Sequence, residues 1–592
     1  MKKKPSSRYC PCLLILIFTM IFFSCQKVEM EPIADEETPF ESAGMAKTLL
    51  GKKLENPYSV TNMRKALESF RSSDPKGREA ADFEIEATHY YVRLFTESDE
   101  QLLRLEKDSL YLFDYPLDYE IDSLGDYYMD PEVDPEEGKW YYTSVPVDYR
   151  FPDIQYEILE ELFLLDEEDT TAANGKLASL DFLYELEEES LRLTGNLKEP
   201  EYDKGTSGEA SRAKIHPQGY VRVWDTERRK LVGVEGVKVR TRRWFKYGRD
   251  YTNSLGYYRI DNRYKRDVHY TVFFENASGF KIWSSTVDIS KASHHVGKHS
   301  RYDRNIDMYT DSRAWRFATV NNAAVKYRNY CGRFGIGLPP SDLRIVASDG
   351  SGGGAAPMLR RVWGFYGFTS KSKVVSFLGK VAGMPATILG NTLLRFILPD
   401  IIVKANSAQG TAAVYETAFH ELAHASHYAK VGNNYWIRYI NYIVTYGVYG
   451  DGTGNNAGLC ALGEAWGYHM GYRLTLEEFG NTNSRVSLSA FENFDPLKTG
   501  DKNDDIRPFK PLFSYWNGWI PAGIMYDIID TNRDWLRSGF YDDVAGYTHK
   551  DLFNALDKDV DTPQKFRDRL LKESGNLDRA DLENLFEAYY WK

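Results

Sequence analysis

Residues 411–431 have the sequence TAAVYETAFHELAHASHYAKV and are followed by Gly432. We predict one helix over about this range, ending near the glycine, because glycine commonly terminates helices. His420 and His424 lie four residues apart, so their directions around the helix differ by about 40°. Both imidazoles then face one side and can coordinate a single Zn²⁺ ion at about 2.0–2.1 Å. Glu421, next to the first histidine, is placed to accept a proton from the water that such an ion activates.

An ordinary amphipathic helix with packed or solvated histidines is the alternative interpretation of these residues. Two features of the context favour a metal site. The segment Asp400–Lys404 predicts a short strand immediately before the helix. A second predicted helix carries the sequence GEAWG, in which Glu464 lies 40 residues beyond His424.

Together, His420, Glu421 and His424 followed by Glu464 resemble the HExxH…E arrangement of the gluzincin zinc metallopeptidases, over residues 340 to 530. The resemblance implies a zincin-like α+β domain in which a strand near the site aligns the substrate backbone. It also implies a zinc ion held by the two histidines and Glu464, with Glu421 as the general base. The expected substrate is a peptide or protein.

The chain departs from thermolysin-like members of that family at two places. Asn433–Asn456 leaves room for an inserted helix and loop between the two site helices. Tyr468 stands four residues after Glu464, where those enzymes place an aspartate that orients a zinc-binding histidine. The residues that orient the predicted ligands therefore stay unassigned.

A third histidine, His427, competes with Glu464 for the role of third ligand because it points to the same helix face as His420 and His424. It lies about 10 Å along the helix axis from His420, however, and ligands of one zinc ion lie about 2 Å from the metal. The third ligand must therefore come from another element, and we expect Glu464.

A group that stabilises the transition state is also expected, and Tyr515, Tyr526 and His469 are candidates. We favour Tyr526 as this catalytic residue, because Ala522–Asp530 is typical of a late helix that packs beside such a site.

The amino terminus has the pattern of an export signal. A basic segment precedes the short apolar run Leu13–Phe23, which is too short to span a bilayer. The run ends at Ser24-Cys25 and resembles a bacterial lipobox. Residues 1–24 are therefore expected to be a lipoprotein signal peptide, with Cys25 lipidated and residues 25–45 forming a tether.

This resemblance implies a cell-envelope protein held at the membrane, as an outer-membrane lipoprotein facing the periplasm or the exterior. An ordinary secretion signal with an incidental cysteine is the alternative. In the mature chain only Cys331 and Cys460 then remain, and these two can form one disulfide in an oxidising compartment.

Composition sets the broad class. The chain has 592 residues, enough for several domains, and its net charge of −12 excludes the basic footprint of a nucleic-acid-binding protein. We predict a multidomain α+β protein. Residues 46–196 form an acidic mixed region, with helices at Ile154–Leu165 and Leu177–Leu193 and a strand at His89–Leu94; residues 197–212 form a linker.

Residues 213–310 show short alternating strands and turns, which indicate a small β-sandwich. The order of these strands resembles the carboxypeptidase-regulatory, transthyretin-like domain, usually a spacer or binding module. We expect its three clustered histidines, His294, His295 and His299, to lie in a solvated loop.

Residues 311–592 are expected to form the zincin-like metallopeptidase domain. Its glycine-rich segment Gly350–Gly354 lacks the features of a phosphate-binding loop, and we interpret it as a mobile loop. Two other functions stay open at the level of sequence. One is a surface lipoprotein that binds protein or glycan on a zincin-like scaffold, and the other is a zinc hydrolase with a non-peptide substrate.

Overall fold

The computed structural model describes residues 47–72, 80, 83–108, 110–123, 125, 128–134, 137–164, 180–197, 214–284, 291–350, 353–362, 373–374, 376, 398–447, 449–450, 452–480, 520, 523–533, 535–537, 540–589 and 591. Predictions for the signal peptide, Cys25, the tether, most of the linker and Tyr515 fall outside these residues. The predicted α+β class is confirmed. In the part of the chain that is described, no helix is both long and apolar enough to cross a membrane.

The described part of the amino-terminal region combines two small sheets with three helices. Its strands are β1 (Leu49–Lys53), β2 (His89–Thr96), β3 (Tyr119–Ser123), β4 (Lys139–Pro146) and β5 (Tyr156–Leu162). Its helices are α1 (Val60–Arg71), α2 (Asp99–Lys107) and α3 (Leu180–Leu193). The sheets have the orders β4-β2-β5 and β1-β3, and all of these pairs are antiparallel. Helices α1 and α3 pack on each other around a phenylalanine-rich core.

Nine short strands follow between residues 218 and 308. They are β6 (Gln218–Asp225), β7 (Lys230–Gly233), β8 (Val237–Arg243), β9 (Lys246–Tyr251), β10 (Tyr257–Arg259), β11 (Val268–Asn276), β12 (Lys281–Trp283), β13 (Ser293–His299) and β14 (Ile306–Met308). Alternating buried residues on β6, β8 and β11 point into one core that lies between two sheets. One sheet has the order β10-β6-β14 with β7 beside β6, and the other contains β9, β8, β11 and β13.

The described residues from Arg313 onward are mostly helical. Its helices are α4 (Arg313–Phe334), α5 (Leu359–Val362), α6 (Thr411–Val431), α7 (Asn433–Tyr446), α8 (Ala457–Phe479), α9 (Ile524–Asp527), α10 (His549–Ala555), α11 (Pro563–Glu573) and α12 (Arg579–Ala588), with a 3₁₀ turn at Ser407–Gln409. Its strands are β15 (Arg344–Ser348), β16 (Gly354–Ala355), β17 (Ile401–Lys404), β18 (Trp535–Arg537) and β19 (Phe540–Tyr541). Helix α6 packs against α4, α7, α8 and β17, so it is covered on nearly all sides, as expected of a central helix.

One sheet runs through the boundary predicted at residue 310. Its order is β16-β17-β15-β12-β11-β8-β9, and β12 pairs in parallel with β15 through Lys281 opposite Arg344. A single hydrophobic core includes Val221 of the β-rich segment and Leu462 of the helical segment. The two segments therefore share both a sheet and a core.

Three local predictions are wrong. Ile154–Leu165 contains strand β5 and not a helix, because pairing with β2 outweighs the helical propensity of its Leu and Glu residues. His294, His295 and His299 lie on strand β13 and not in a loop, since β13 pairs with β11. Gly354, assigned to a mobile loop, lies in β16, which pairs with β17.

Most of the other local predictions are confirmed. The strand at His89–Leu94 is β2, and the helix at Leu177–Leu193 is α3 over its described part. Cys331 and Cys460 are both buried free thiols, so the structure does not show the disulfide that the sequence allowed.

Candidate metal centre

Helix α6 is fixed at both ends by groups outside it. Gly410 precedes the helix and has no side chain to cap it; instead, Thr226 of the β-rich segment accepts a hydrogen bond from the Thr411 N–H through its Oγ1 at 2.7 Å. At the other end, Gly432 adopts φ 78° and donates its N–H to the Tyr428 carbonyl at 2.9 Å. The helix therefore spans the predicted residues, and the β-rich segment supplies its amino-terminal cap.

The two predicted histidine ligands meet Glu464 between α6 and α8. The Nε2 atoms of His420 and His424 are 3.0 Å apart. Glu464 Oε2 lies 3.4 Å from His420 Nε2, and Glu464 Oε1 lies 3.6 Å from His424 Nε2. One ligand atom from each residue falls within 4.8 Å of the others. The structure thus gathers the three residues that the sequence analysis named as the ligand set.

Close approach of the two helices depends on Gly467. A Cβ atom added there would lie 2.8 Å from His420 Cε1 and 3.0 Å from His424 Cε1. Both distances are shorter than a normal carbon–carbon contact. The imidazoles therefore occupy space that any side chain at position 467 would take.

The charges of the cluster suit a divalent cation. Burial alone would raise the pKa of Glu464, but the neighbouring imidazoles, His424 first, lower it well below its usual value. Glu464 is therefore an ionised carboxylate, and its buried Oε2 has no hydrogen-bond partner among the described residues. Two imidazoles and one such carboxylate are a set of ligands that fits Zn²⁺.

Glu421 lies beside this cluster, against a strand. It is buried, and burial together with the Glu464 charge raises its pKa to about 8, although His420 acts in the opposite direction. A Cβ atom added to Gly354 of β16 would lie 2.7 Å from Glu421 Oε1. The glycine thus lets the strand pass close to the predicted general base.

Aromatic side chains of α7 hold two of the ligands. The Tyr439 hydroxyl donates a short hydrogen bond to Glu464 Oε1. His424 lies edge-on against Trp436 and Tyr439, with ring centroids 6.2 Å apart in both cases. Its buried Nδ1 has no hydrogen-bond partner among the described residues, so packing sets its orientation. The segment predicted as an insertion therefore supplies the surroundings of the site.

The competing histidine, His427, lies outside the cluster. Its side chain is fully buried against Tyr435 and Trp436, at centroid distances of 5.2 and 5.9 Å. Burial lowers the pKa of His427 to about 3, with smaller effects of His424 and Lys430 in the same direction. This is the environment of a neutral core histidine.

The candidates for transition-state stabilisation are placed differently from one another. His469 is buried against Trp466 and His549, and burial lowers its pKa well below the usual value. Tyr526 lies half-buried on the one-turn helix α9, which packs on α8. The ring that lies against His420 belongs to Tyr468, at a centroid distance of 4.9 Å. The role of Tyr526 therefore stays a prediction.

Sequence reasoning missed Tyr439 and Gly354 at this site. Tyr435, Trp436, Tyr439 and Tyr442 recur at helical spacing and are all buried, so the pattern could have predicted a packed face on α7. The pattern does not say which carboxylate that face touches. No local signal connects Gly354 with Glu421, because the contact is made only when β16 pairs with β17.

The comparisons with known proteins do not identify a family for this chain. No protein-family model matches the chain, and no curated protein matches it.

Proposed function

We propose that this protein is a zinc-dependent peptidase in which His420, His424 and Glu464 hold the ion. The observation that carries the proposal is the convergence, from two helices, of two imidazole Nε2 atoms and a carboxylate oxygen that has no hydrogen-bond partner among the described residues. A second carboxylate, Glu421, lies next to the first ligand in the chain and is buried beside it. Perturbed, desolvated carboxylates grouped in this way are typical of catalytic sites.

The chemistry follows from these groups. Held by His420, His424 and Glu464, a zinc ion would supply Lewis-acid chemistry, polarising the scissile carbonyl and lowering the pKa of water toward about 7. A cation bound beside Glu421 would favour its ionised form, and the carboxylate would then take the proton of the attacking water and pass it to the leaving amine. The low exposure of Glu421 and Glu464 keeps both carboxylates in a medium where electrostatic interactions are stronger than in water.

Strand β16 supports a peptide as the substrate. Among the described residues it is the last strand of its sheet and pairs only with β17. An extended peptide can add to such a free edge through main-chain hydrogen bonds. Gly354 of this strand lies against Glu421, so a peptide held there would pass beside the general base.

The alternative function, a binding protein on a zincin-like scaffold, explains fewer of these observations. Such a protein needs neither a buried carboxylate oxygen without a partner at Glu464 nor a second carboxylate at Glu421. The same proposal includes a lipid anchor at Cys25 and an outer-membrane location for the protein. It also gives residues 213–310 a spacer or binding role. These parts rest on the sequence resemblances.

The proposal is tested by Glu421→Gln, which keeps the size of the side chain and removes the base. We expect cleavage of a mixed peptide library, followed by mass spectrometry, to fall about 10²–10⁴-fold while zinc content is unchanged. Glu573→Gln, on the exposed surface of α11, is the matched control and should cleave normally. A Glu421→Gln protein with wild-type activity would show that the chemistry lies elsewhere.

A further inference from the structure

His420 is the most exposed member of the metal cluster. The side chain of His420 is 15% exposed, whereas those of His424 and Glu464 are each 6% exposed. On α8, every residue from Ala461 to Tyr472 is buried except Tyr468, which is half-buried. Tyr468 is therefore the one residue of this stretch of α8 that keeps appreciable contact with solvent, and it does so next to His420.

Tyr468 is held against the cluster by its position on α8. It lies four residues after Glu464, so both side chains leave the helix on the same side. Its ring meets the His420 ring edge-on, with centroids 4.9 Å apart and planes at 73°. Its hydroxyl donates a hydrogen bond to the Tyr449 hydroxyl at 3.0 Å. Because a phenol both donates and accepts, rotation of the two O–H groups reverses this direction.

Tyr449 is presented by the turn between α7 and α8, which is shaped by glycines. Gly450 and Gly452 have φ angles of 63° and 80°, in the region that other residues rarely adopt. The Gly452 N–H donates to the Tyr442 hydroxyl at 3.2 Å. A Cβ atom on Gly450 would lie only 2.5 Å from that same hydroxyl. The turn is therefore fitted to the aromatic face of α7, and this places Tyr449 next to Tyr468.

We propose that Tyr468 is a catalytic residue whose phenol O–H donates a hydrogen bond to the oxyanion that develops on the scissile carbonyl, and that Tyr449 is its positioning residue. When Tyr468 donates to the oxyanion, its own oxygen accepts a hydrogen bond from Tyr449. Each hydrogen bond in such a chain polarises the next. No covalent bond forms and no proton is transferred by either phenol.

This proposal rests on the proposed peptidase function and replaces Tyr526 by Tyr468 in the stabilising role. Tyr468 directly contacts the ring of the most exposed residue of the cluster, and the hydroxyl of Tyr449 holds its phenol in place. A donor aimed at developing charge is worth more in a preorganised site than in water.

The first test compares Tyr468→Phe, Tyr449→Phe and Tyr526→Phe with the wild type, using a peptide from the cleaved library. We expect kcat to fall about 10²–10³-fold in Tyr468→Phe and on the order of tenfold in Tyr449→Phe. KM and zinc content should stay nearly constant, because the hydrogen bond forms only in the transition state. Tyr541→Phe, which removes a hydroxyl from a ring that is 47% exposed, is the control.

The second test does not depend on turnover. Acetohydroxamate, a small chelating probe with oxyanion character, is titrated into the cobalt-substituted protein and followed by visible absorption. We expect about tenfold weaker binding in Tyr468→Phe than in the wild type, and unchanged binding in Tyr541→Phe.

The two proposals fail in different ways. A wild-type protein without zinc-dependent cleavage contradicts the peptidase function and, with it, the catalytic role of Tyr468; the hydroxamate titration then reports only whether the Tyr468 phenol donates to an oxygen bound at the cluster. An active wild type with unchanged kcat and unchanged hydroxamate affinity in Tyr468→Phe overturns the role of Tyr468 and leaves the peptidase function standing. A fall in kcat in Tyr526→Phe but not in Tyr468→Phe would likewise overturn the role of Tyr468 and leave the peptidase function standing.

Discussion

Substitution of Gly467 by alanine should weaken zinc binding while leaving the stability of the metal-free fold nearly unchanged. The added Cβ would lie 2.8 Å from His420 Cε1, 2.9 Å from His420 Nε2 and 3.0 Å from His424 Cε1. Favourable carbon–carbon contacts are about 3.5–4.0 Å, so the rings must retreat by roughly 0.5 Å or more. Zinc sites tolerate about 0.2 Å of variation in ligand distances, so rings that retreat this far no longer fit the ion.

The magnitude follows from the cost of overpacking. Forcing both rings back into the zinc-binding arrangement costs about 1–3 kcal/mol, which corresponds to about 10–100-fold weaker zinc binding. The metal-free protein can let the rings move, and alanine stabilises a helix interior by up to about 1 kcal/mol relative to glycine. We therefore expect nearly unchanged stability without zinc and a smaller increase in the unfolding midpoint when zinc is added.

The assay is competition for zinc with a fluorescent chelator, together with thermal unfolding with and without zinc. Gly332→Ala is the matched control, because Gly332 lies in α4 and an added Cβ there would meet no atom within 4 Å. That variant should keep wild-type zinc affinity and gain stability. Wild-type zinc affinity in Gly467→Ala would refute the placement of the two imidazoles beside α8.

Three further predictions concern other parts of the chain. Tyr439→Phe removes the donor to Glu464 and should weaken zinc binding about 10–100-fold by the same competition assay; unchanged affinity would show that this phenol does not position the ligand. Burial raises the pKa of Glu187 but its contact with Lys246 at 2.8 Å lowers it, to about 2 from an ordinary value of 4.5. Because the pKa of Glu187 is lower in the folded state, its ion pair stabilises the fold fully above about pH 4.5, and this stabilisation is lost as the pH falls toward 2. Proteolysis of residues 47–197 should therefore become faster as the pH is lowered from about 4.5 to 2. The same cleavage should be fast at pH 7 in Lys246→Gln, and equal rates in variant and wild type would contradict the assignment. Mass spectrometry of the mature amino terminus should find a multiply acylated Cys25, and an unmodified or differently placed terminus would exclude the anchor.

The sequence was a good guide where the determinants are local. The bounds of α6 follow from its flanking glycines and its apolar length, and the structure has the same bounds. Glu464 was predicted because the resemblance to the gluzincins implies a third ligand on a following helix, and the structure places its carboxylate 3.4 and 3.6 Å from the two imidazoles. These features can be read without knowing how the rest of the chain folds.

The parts that could not be predicted depend on contacts between distant residues. Ile154–Leu165 has the composition of a helix, and only its pairing with β2 makes it a strand. Pairing of β12 with β15 joins two segments that the sequence separates at residue 310. The bond from Tyr439 to Glu464 and the contact of Gly354 with Glu421 arise in the same way, from packing that no local pattern encodes.

The most direct test of the central claim is a crystal structure of the zinc-loaded protein with an anomalous difference map at the zinc absorption edge. We predict one strong peak per chain, about 2.0–2.2 Å from the Nε2 atoms of His420 and His424 and from a Glu464 carboxylate oxygen. A zinc-loaded crystal with no peak between α6 and α8, or with its peak at His427, would contradict the account.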